Sequence, residues 1–166
     1  MADIRGAELG DLPGVLAIYN EIISTSTAVY SDAPVSLENR RDWMEGRRRQ
    51  GFPVLVGIDQ RGVAGFSSFG EFRAAFSGYR HSVEHSVHIR SDLRGQGLGR
   101  KLVEALFPLA SAMGIHVMIG AIDAANAGSI RFHEKLGFTR AGLFREVGRK
   151  FDRWLDLVFM QRFIES

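Results

Sequence analysis

The stretch Ser82 to Lys101, SVEHSVHIRSDLRGQGLGRK, constrains this chain more than any other. Val83, His85, Val87 and Ile89 alternate with Glu84, Ser86 and His88, and that two-residue period with β-branched residues predicts a strand. The polar turn Ser91-Asp92-Leu93 follows, and Arg94-Gly95-Gln96-Gly97-Leu98-Gly99 then opens a helical pattern. Strand, glycine-rich turn and helix start together make an anion cradle. The first N–H groups of a helix lack intrahelical partners, and the helix dipole favours negative charge beside them. Glycine lets a phosphate come close to the backbone. Two common cradles fit poorly. A Walker loop needs Ser or Thr after its lysine, and neither follows Lys101. A dinucleotide loop opens a βαβ unit with differently spaced glycines, whereas this strand sits mid-chain after an apparent hairpin.

The rest of the chain sets bounds on what the cradle serves. Its 166 residues suit one domain, residues 1–166, with a sizeable core. Apolar runs are too short for a membrane span. The N-terminus carries acidic residues and no apolar h-region, so no secretory signal is expected. The chain has 0 cysteines, which excludes thiolate metal sites and disulfides and fits a reducing cytoplasm. The formal net charge of +2 is too small to argue for nucleic acid, despite a pI near 9.3.

Periodicity predicts the remaining elements. Asp3 to Ala7 reads as a strand, and Asp11 with Pro13 opens a helix whose apolar face is Leu12, Val15, Leu16, Ile18, Tyr19 and Ile22. Ser24 to Val35 reads as a loop leaning over a pocket. Ser36 starts a charged helix running to Gln50. Its arginines, Arg40, Arg41, Arg47, Arg48 and Arg49, read as a solvated face, since no aromatics interleave with the triplet as a nucleic-acid stacking surface would require. Phe52 to Ile58 and Val63 to Phe69 form a hairpin. A helix from Gly97 to Met113 buries Leu98, Leu102, Leu106, Leu109 and Met113, with Pro108 as a misfit. Ile115 to Ile122 is a strand, Asn126 to Leu136 a helix, and Phe138 to Val147 and Lys150 to Phe163 are two strands joined near Gly148. The order β-α-α-β-β-β-α-β-α-β-β predicts an α/β (α+β) fold, a mixed, mostly antiparallel twisted sheet flanked by helices.

Arg94, Gly97 and Gly99 satisfy the pattern Arg/Gln-x-x-Gly-x-Gly/Ala, which resembles the pyrophosphate loop of the Gcn5-related N-acetyltransferases. Three further stretches resemble one branch of that family, the phosphinothricin and methionine sulfoximine acetyltransferases. They are Val83 to Ile89, Asn126 to Phe138 with its Asn-x-x-Ser and His, and Gly148 to Asp156 with Lys150, Trp154 and Asp156. Ile18-Tyr19-Asn20 also fits. Phe72 and His88 depart from that branch, where Trp and Tyr are usual.

The resemblance implies acetyl-coenzyme A as co-substrate and a small amino-acid analogue as acceptor, methionine sulfoximine, methionine sulfone or phosphinothricin. Val87, His88 and Ile89 would pair main-chain groups with the pantetheine arm, and one N–H would polarise the thioester carbonyl. Arg94, Gly95, Gln96, Gly97, Leu98, Gly99 and Arg100 would hold the pyrophosphate. Asn126 would bond the pantetheine amides, with Ser129 and Lys135 nearby. Glu84 is the expected base for the ammonium, and His133 the group beside the departing thiolate. Phe72, Arg73, Ser77, Gly78, Tyr79 and Arg80 would meet the acceptor, the arginines clasping its carboxylate. No histidine spacing here matches a metal motif, so no metal is expected. A homodimer through the last strands is implied, with no nucleic-acid or membrane partner. Acetylation of another amine, such as a protein N-terminus, and a non-catalytic acyl-coenzyme A module are the alternatives.

Overall fold

A computed structural model describes residues 2–165. Seven strands form one sheet: β1 (Asp3–Gly6), β2 (Val54–Asp59), β3 (Gly62–Glu71), β4 (Ser82–Ile89), β5 (Val117–Asp123), β6 (Thr139–Lys150) and β7 (Arg153–Phe163), in the spatial order β1-β2-β3-β4-β5-β7-β6. Every neighbouring pair is antiparallel except β4 with β5. The expected α+β fold and element order are therefore found. Among the described residues no helix is long and apolar enough to cross a membrane.

The helices divide between the two faces. Helices α1 (Leu12–Thr25) and α2 (Leu37–Arg49) cover one. Val15, Ile18 and Ile22 pack there on Val56 and Phe66. Helices α3 (Leu98–Glu104), α4 (Leu106–Ala112) and α5 (Ala127–Lys135) cover the other. Leu102, Leu106 and Ile130 meet Phe69, Val83 and Met118 there. Strand alternation explains the partition, because successive side chains point to opposite faces. Phe66 and His88 are paired in register and pack together on the α1–α2 face, while Phe69 and His85 belong to the α3–α5 face.

Four local expectations need correction. The helix after the cradle is broken at Ala105 into α3 and α4, with Pro108 inside the first turn of the second piece, where a missing N–H costs no helical bond. The break rotates the apolar stripe, so Ala110 is buried while Leu109 and Met113 are each 39% exposed. The last hairpin turns at Phe151 and Asp152, both with positive φ, and not at Gly148, which lies beside an irregularity in the β6 register. Asp11 precedes α1 but does not cap it with its carboxylate. That group accepts bonds from Arg5 at 2.7 and 2.9 Å and from the Glu8 N–H at 2.8 Å. Finally, the α2 arginines are not all solvated: Arg40 is buried and Arg47 half-buried, both turned toward the sheet.

Candidate active site

The single parallel pairing sets up the site. It covers only Ser82–Val117, Val83–Met118 and Glu84–Ile119, and beyond Glu84 the two strands diverge. Which main-chain groups are left free follows from the other edge of β4. The Arg90 N–H donates to the Ala64 carbonyl at 2.9 Å, so the even-numbered residues of β4 are those bonded to β3. The odd-numbered residues, Val87 and Ile89 among them, direct N–H and C=O into the gap. An extended ligand with amide groups fits this edge as an added strand would. His88 does not share in it. Its main chain faces β3, and its buried ring packs against Tyr19 and Phe66, burial holding its pKa down at about 4.

At the end of β4 the chain makes a short 3-10 turn, Ser91–Leu93, and enters the cradle. Gly95 and Gly97 have φ of 75° and 87°, a left-handed conformation that a side chain would strain. Gly97 precedes α3, whose first intrahelical bond runs from the Lys101 N–H to the Gly97 carbonyl at 3.2 Å. The N–H groups of Leu98, Gly99 and Arg100 therefore point outward, unpaired within the helix. Two side chains brace the turn: Gln96 Nε2 donates to the Asp92 carbonyl at 2.9 Å, and Arg94 Nε to the Ile89 carbonyl at 3.3 Å. Arg100 is paired with Glu104 at 2.7 Å on the surface.

A cavity of about 330 Å³ opens where β4 and β5 part, and it reaches both faces of the sheet. Glu84, Arg40, Arg47, Trp43 and Tyr19 line it on the α1–α2 side, and His85, His133, Asn126 and Ser129 on the other. Glu84 keeps contact with solvent through this cavity. Desolvation by the surrounding protein nevertheless raises its pKa, an effect that the nearby Arg47 charge opposes. Arg47 is itself held below the usual arginine range by burial.

The hydrogen-bond partners of the two histidines assign their ring protons. The Ser129 carbonyl only accepts, so His133 Nδ1, at 2.7 Å from it, carries a proton. In the neutral ring Nε2 is then an acceptor, and His85 Nε2, 3.1 Å away, donates to it. His85 Nδ1 is left bare and buried without a partner. Burial and the neighbouring histidine push His85 down to about 3, and burial lowers His133 as well. Gly120 on β5 makes room for the pair, since a Cβ there would stand 3.2 Å from both Nε2 atoms. In this tautomer the His133 Nδ1 proton is engaged by the Ser129 carbonyl and its Nε2 lone pair by His85.

Asn126 caps α5, its Oδ1 accepting from the Ser129 N–H at 3.0 Å, and its side chain also reaches the cavity. Lys135 ends α5 on the exposed surface and does not reach it. The loop after α1 closes one side with Ala28 and Val29, as its composition suggested. Lys150 Nζ donates to the carbonyls of Ser26 and Val29, both at 2.7 Å. Tyr30 donates to the Asp156 carbonyl at 3.1 Å, and Thr27 donates to Asp123.

No residue of the segment Phe72–Arg80 lines this cavity. Arg73 lies over the rings of Phe76 and Tyr79, at 5.5 and 5.2 Å, and Arg80 bonds the Ser77 carbonyl. Phe72 packs on Tyr79 and Phe159, and Ser77, Gly78 and Tyr79 form an exposed 3-10 turn. Sequence reasoning missed Arg40, Arg47 and Asp123 as cavity residues. The aromatic company of Arg40 was legible, since Trp43 lies three positions on, but nothing local distinguished Arg47 from Arg48 and Arg49.

A strand edge with free amides, a glycine cradle beside it and a half-desolvated carboxylate facing the gap define a protein that moves an acyl group from a carrier thioester. Comparison with known proteins agrees. Residues 15–138 match the model of the acetyltransferase (GNAT) family. An L-methionine sulfoximine/L-methionine sulfone acetyltransferase of Pseudomonas aeruginosa is 51% identical over 161 residues, 96% of this chain and 93% of that protein. Among solved structures, a ribosomal-protein-alanine N-acetyltransferase from Brucella melitensis aligns with a TM-score of 0.94 at 46% identity, over 97% of this chain and 99% of that one. A chain from Salmonella typhimurium solved with its cofactor acetyl-CoA aligns with a TM-score of 0.94 at 42% identity, over 99% of this chain and 95% of that one. The chain belongs to the GNAT family of acetyltransferases.

Proposed function

We propose that this enzyme transfers the acetyl group of acetyl-coenzyme A to the α-amine of a small L-amino-acid analogue, with L-methionine sulfoximine and L-methionine sulfone as first acceptors and phosphinothricin as a third. The observation that carries this reading is Glu84, a carboxylate of raised pKa at the point where β4 and β5 separate, beside the free amides of Val87 and Ile89. The activity named for the Pseudomonas aeruginosa relative supports the choice of acceptor.

The chemistry follows from the groups present. An alkyl ammonium reaches the site mostly protonated and is no nucleophile until it loses that proton. Glu84 accepts it, directly or through water, and its elevated pKa makes it a stronger base than a solvated glutamate. The free amine attacks the thioester carbonyl, and the N–H of a β4 residue facing the gap stabilises the oxygen as charge builds there. The nitrogen gains the acetyl carbon, the carbon–sulfur bond breaks, and the thiolate departs with the electron pair. The cradle at Gly95 to Arg100 and the Asn126 side chain hold the carrier.

We also infer a homodimer through β6 and β7. β6 ends the sheet, and Leu143, Phe144, Val147, Phe151 and Trp154 are each more than half exposed around it. An uncovered apolar edge strand of this kind is a pairing surface. Sedimentation at micromolar concentration checks it, a monomer being the contrary result. The function itself is tested by acetyl-coenzyme A consumption with L-methionine sulfone, L-methionine sulfoximine, phosphinothricin, an alanine-terminated peptide and spermidine. Faster turnover of the peptide or of spermidine than of any of the three analogues overturns the reading.

A further inference from the structure

The cavity contains a cation, Arg47, that forms no ion pair among the described residues. Arg47 extends from α2 across β3, where its guanidinium lies on Gly70, and a Cβ at that position would overlap it. Gly70 is the residue paired in register with Glu84. Cross-strand partners present their side chains within a few ångströms of one another on the same face. The guanidinium is thus brought beside the Glu84 carboxylate, and each charge acts on the other. Yet they do not join. Among the described residues neither Arg47 nor Glu84 takes part in an ion pair or a side-chain hydrogen bond, and Arg47 Nε is buried without a partner. A buried guanidinium nitrogen without a partner is costly, and a half-buried arginine that keeps one is poised to take an anion. Arg40, the other cavity arginine, is already occupied. It donates to Asn39 Oδ1 at 3.0 and 2.7 Å and stacks over the Tyr19 ring at 4.1 Å.

We propose that Arg47 receives the α-carboxylate of the acceptor while Glu84 receives its ammonium, so that an α-amino-acid zwitterion spans the space between the two side chains. This rests on the acceptor class given above. The order of charges matches: the anion of the site lies on β4, at the head of the free strand edge, and the cation lies behind it over β3. A guanidinium meets a carboxylate in two parallel bonds, so the pair orients the amine as well as holding it. An amine without the carboxylate leaves Arg47 unpaired again, and a polyamine meets an additional positive charge, so both are rejected. The two loop arginines expected to do this have other partners, Arg73 the rings of Phe76 and Tyr79 and Arg80 the Ser77 carbonyl.

The test compares two acceptors that differ only in the carboxylate, L-methionine sulfone and 3-(methylsulfonyl)propan-1-amine, on the wild type, Arg47→Gln and Arg47→Lys. The wild type is expected to prefer the amino acid in kcat/KM by roughly a hundredfold, the usual scale for truncating one partner of a desolvated charge pair. Arg47→Gln is expected to lose that preference, its kcat/KM falling much further with the amino acid than with the amine, and Arg47→Lys to retain part of it. An equal fall with both acceptors marks Arg47 as merely structural and overturns the proposal. So does loss of the preference in Arg73→Gln or Arg80→Gln but not in Arg47→Gln. If the wild type acetylates neither compound, the proposed function falls, and thermal protection by L-methionine sulfone then decides the carboxylate assignment. A rise in Tm for the wild type, absent in Arg47→Gln and absent with the amine, supports it. No rise in the wild type overturns it.

Discussion

Replacing Glu84 by Gln removes the base and keeps the shape of the side chain. General-base assistance from a positioned carboxylate contributes about 10² to 10⁴ in rate. Expressed as transition-state stabilisation that is about 3 to 5 kcal/mol. The structure predicts a loss in the upper part of that interval, because Glu84 is the one carboxylate on the cavity wall placed where the strands separate, and Asp123 is already bonded to Thr27 and to the Ala125 N–H. Two further results follow from the same geometry. Binding of acetyl-coenzyme A should survive, since the free edge of β4 offers main-chain amides and the cradle is backbone as well. The fold should not weaken at neutral pH. The folded-state pKa of Glu84 is raised, so its ionised form disfavours folding above the unfolded value, and a neutral glutamine escapes that cost. The pH profile supplies the sign. The base works ionised, so wild-type kcat/KM should fall as pH drops through a value above the ordinary 4.5, and the Glu84→Gln variant should lack that limb. The assay is a pH series of coupled acetyl-coenzyme A consumption, with calorimetry for coenzyme binding and a melting curve. A variant that keeps turnover within tenfold of wild type, or that shows the same acid limb, refutes the assignment of Glu84 as base.

Two other substitutions probe the frame around it. Gly120→Ala places a Cβ 3.2 Å from the ring nitrogens of both His85 and His133, so denaturant titration should show a loss of about 1 to 3 kcal/mol from overpacking. Lys150→Ala leaves the Ser26 and Val29 carbonyls without their donor, which should cost about 1 to 3 kcal/mol, raise KM for the acceptor and expose residues 26–30 to limited proteolysis.

The strand of Glu84, the glycine cradle and the starts of α2 and α5 were legible in the chain because each is set by neighbours in sequence. Alternation assigns Glu84 to the face opposite Val83 and His85, and Ser36 and Asn126 bond N–H groups only three residues away. The corrections arose where a local rule met a distant constraint. The stripe from Leu98 to Met113 presumed one straight helix, and the break at Ala105 turned Leu109 and Met113 to solvent. Lys150 and Asp123 look like ordinary surface charges until the loop after α1 is laid against them.

What the amino-acid order determined by itself was the set of parts: the elements, the anion cradle and the carboxylate that faces away from the α3–α5 core. Helical and strand periods and left-handed glycines act within a few residues, so they are readable without the fold. Only the tertiary structure decided which charges share a cavity. Arg47 and Arg48 are adjacent on one helix, yet Arg47 comes to rest over Gly70 beside Glu84, while Arg48 bonds the Ala7 carbonyl away from the cavity. Burial and electrostatic neighbourhood are properties of the packed sheet, and they arise only once β3, β4 and α2 are brought together.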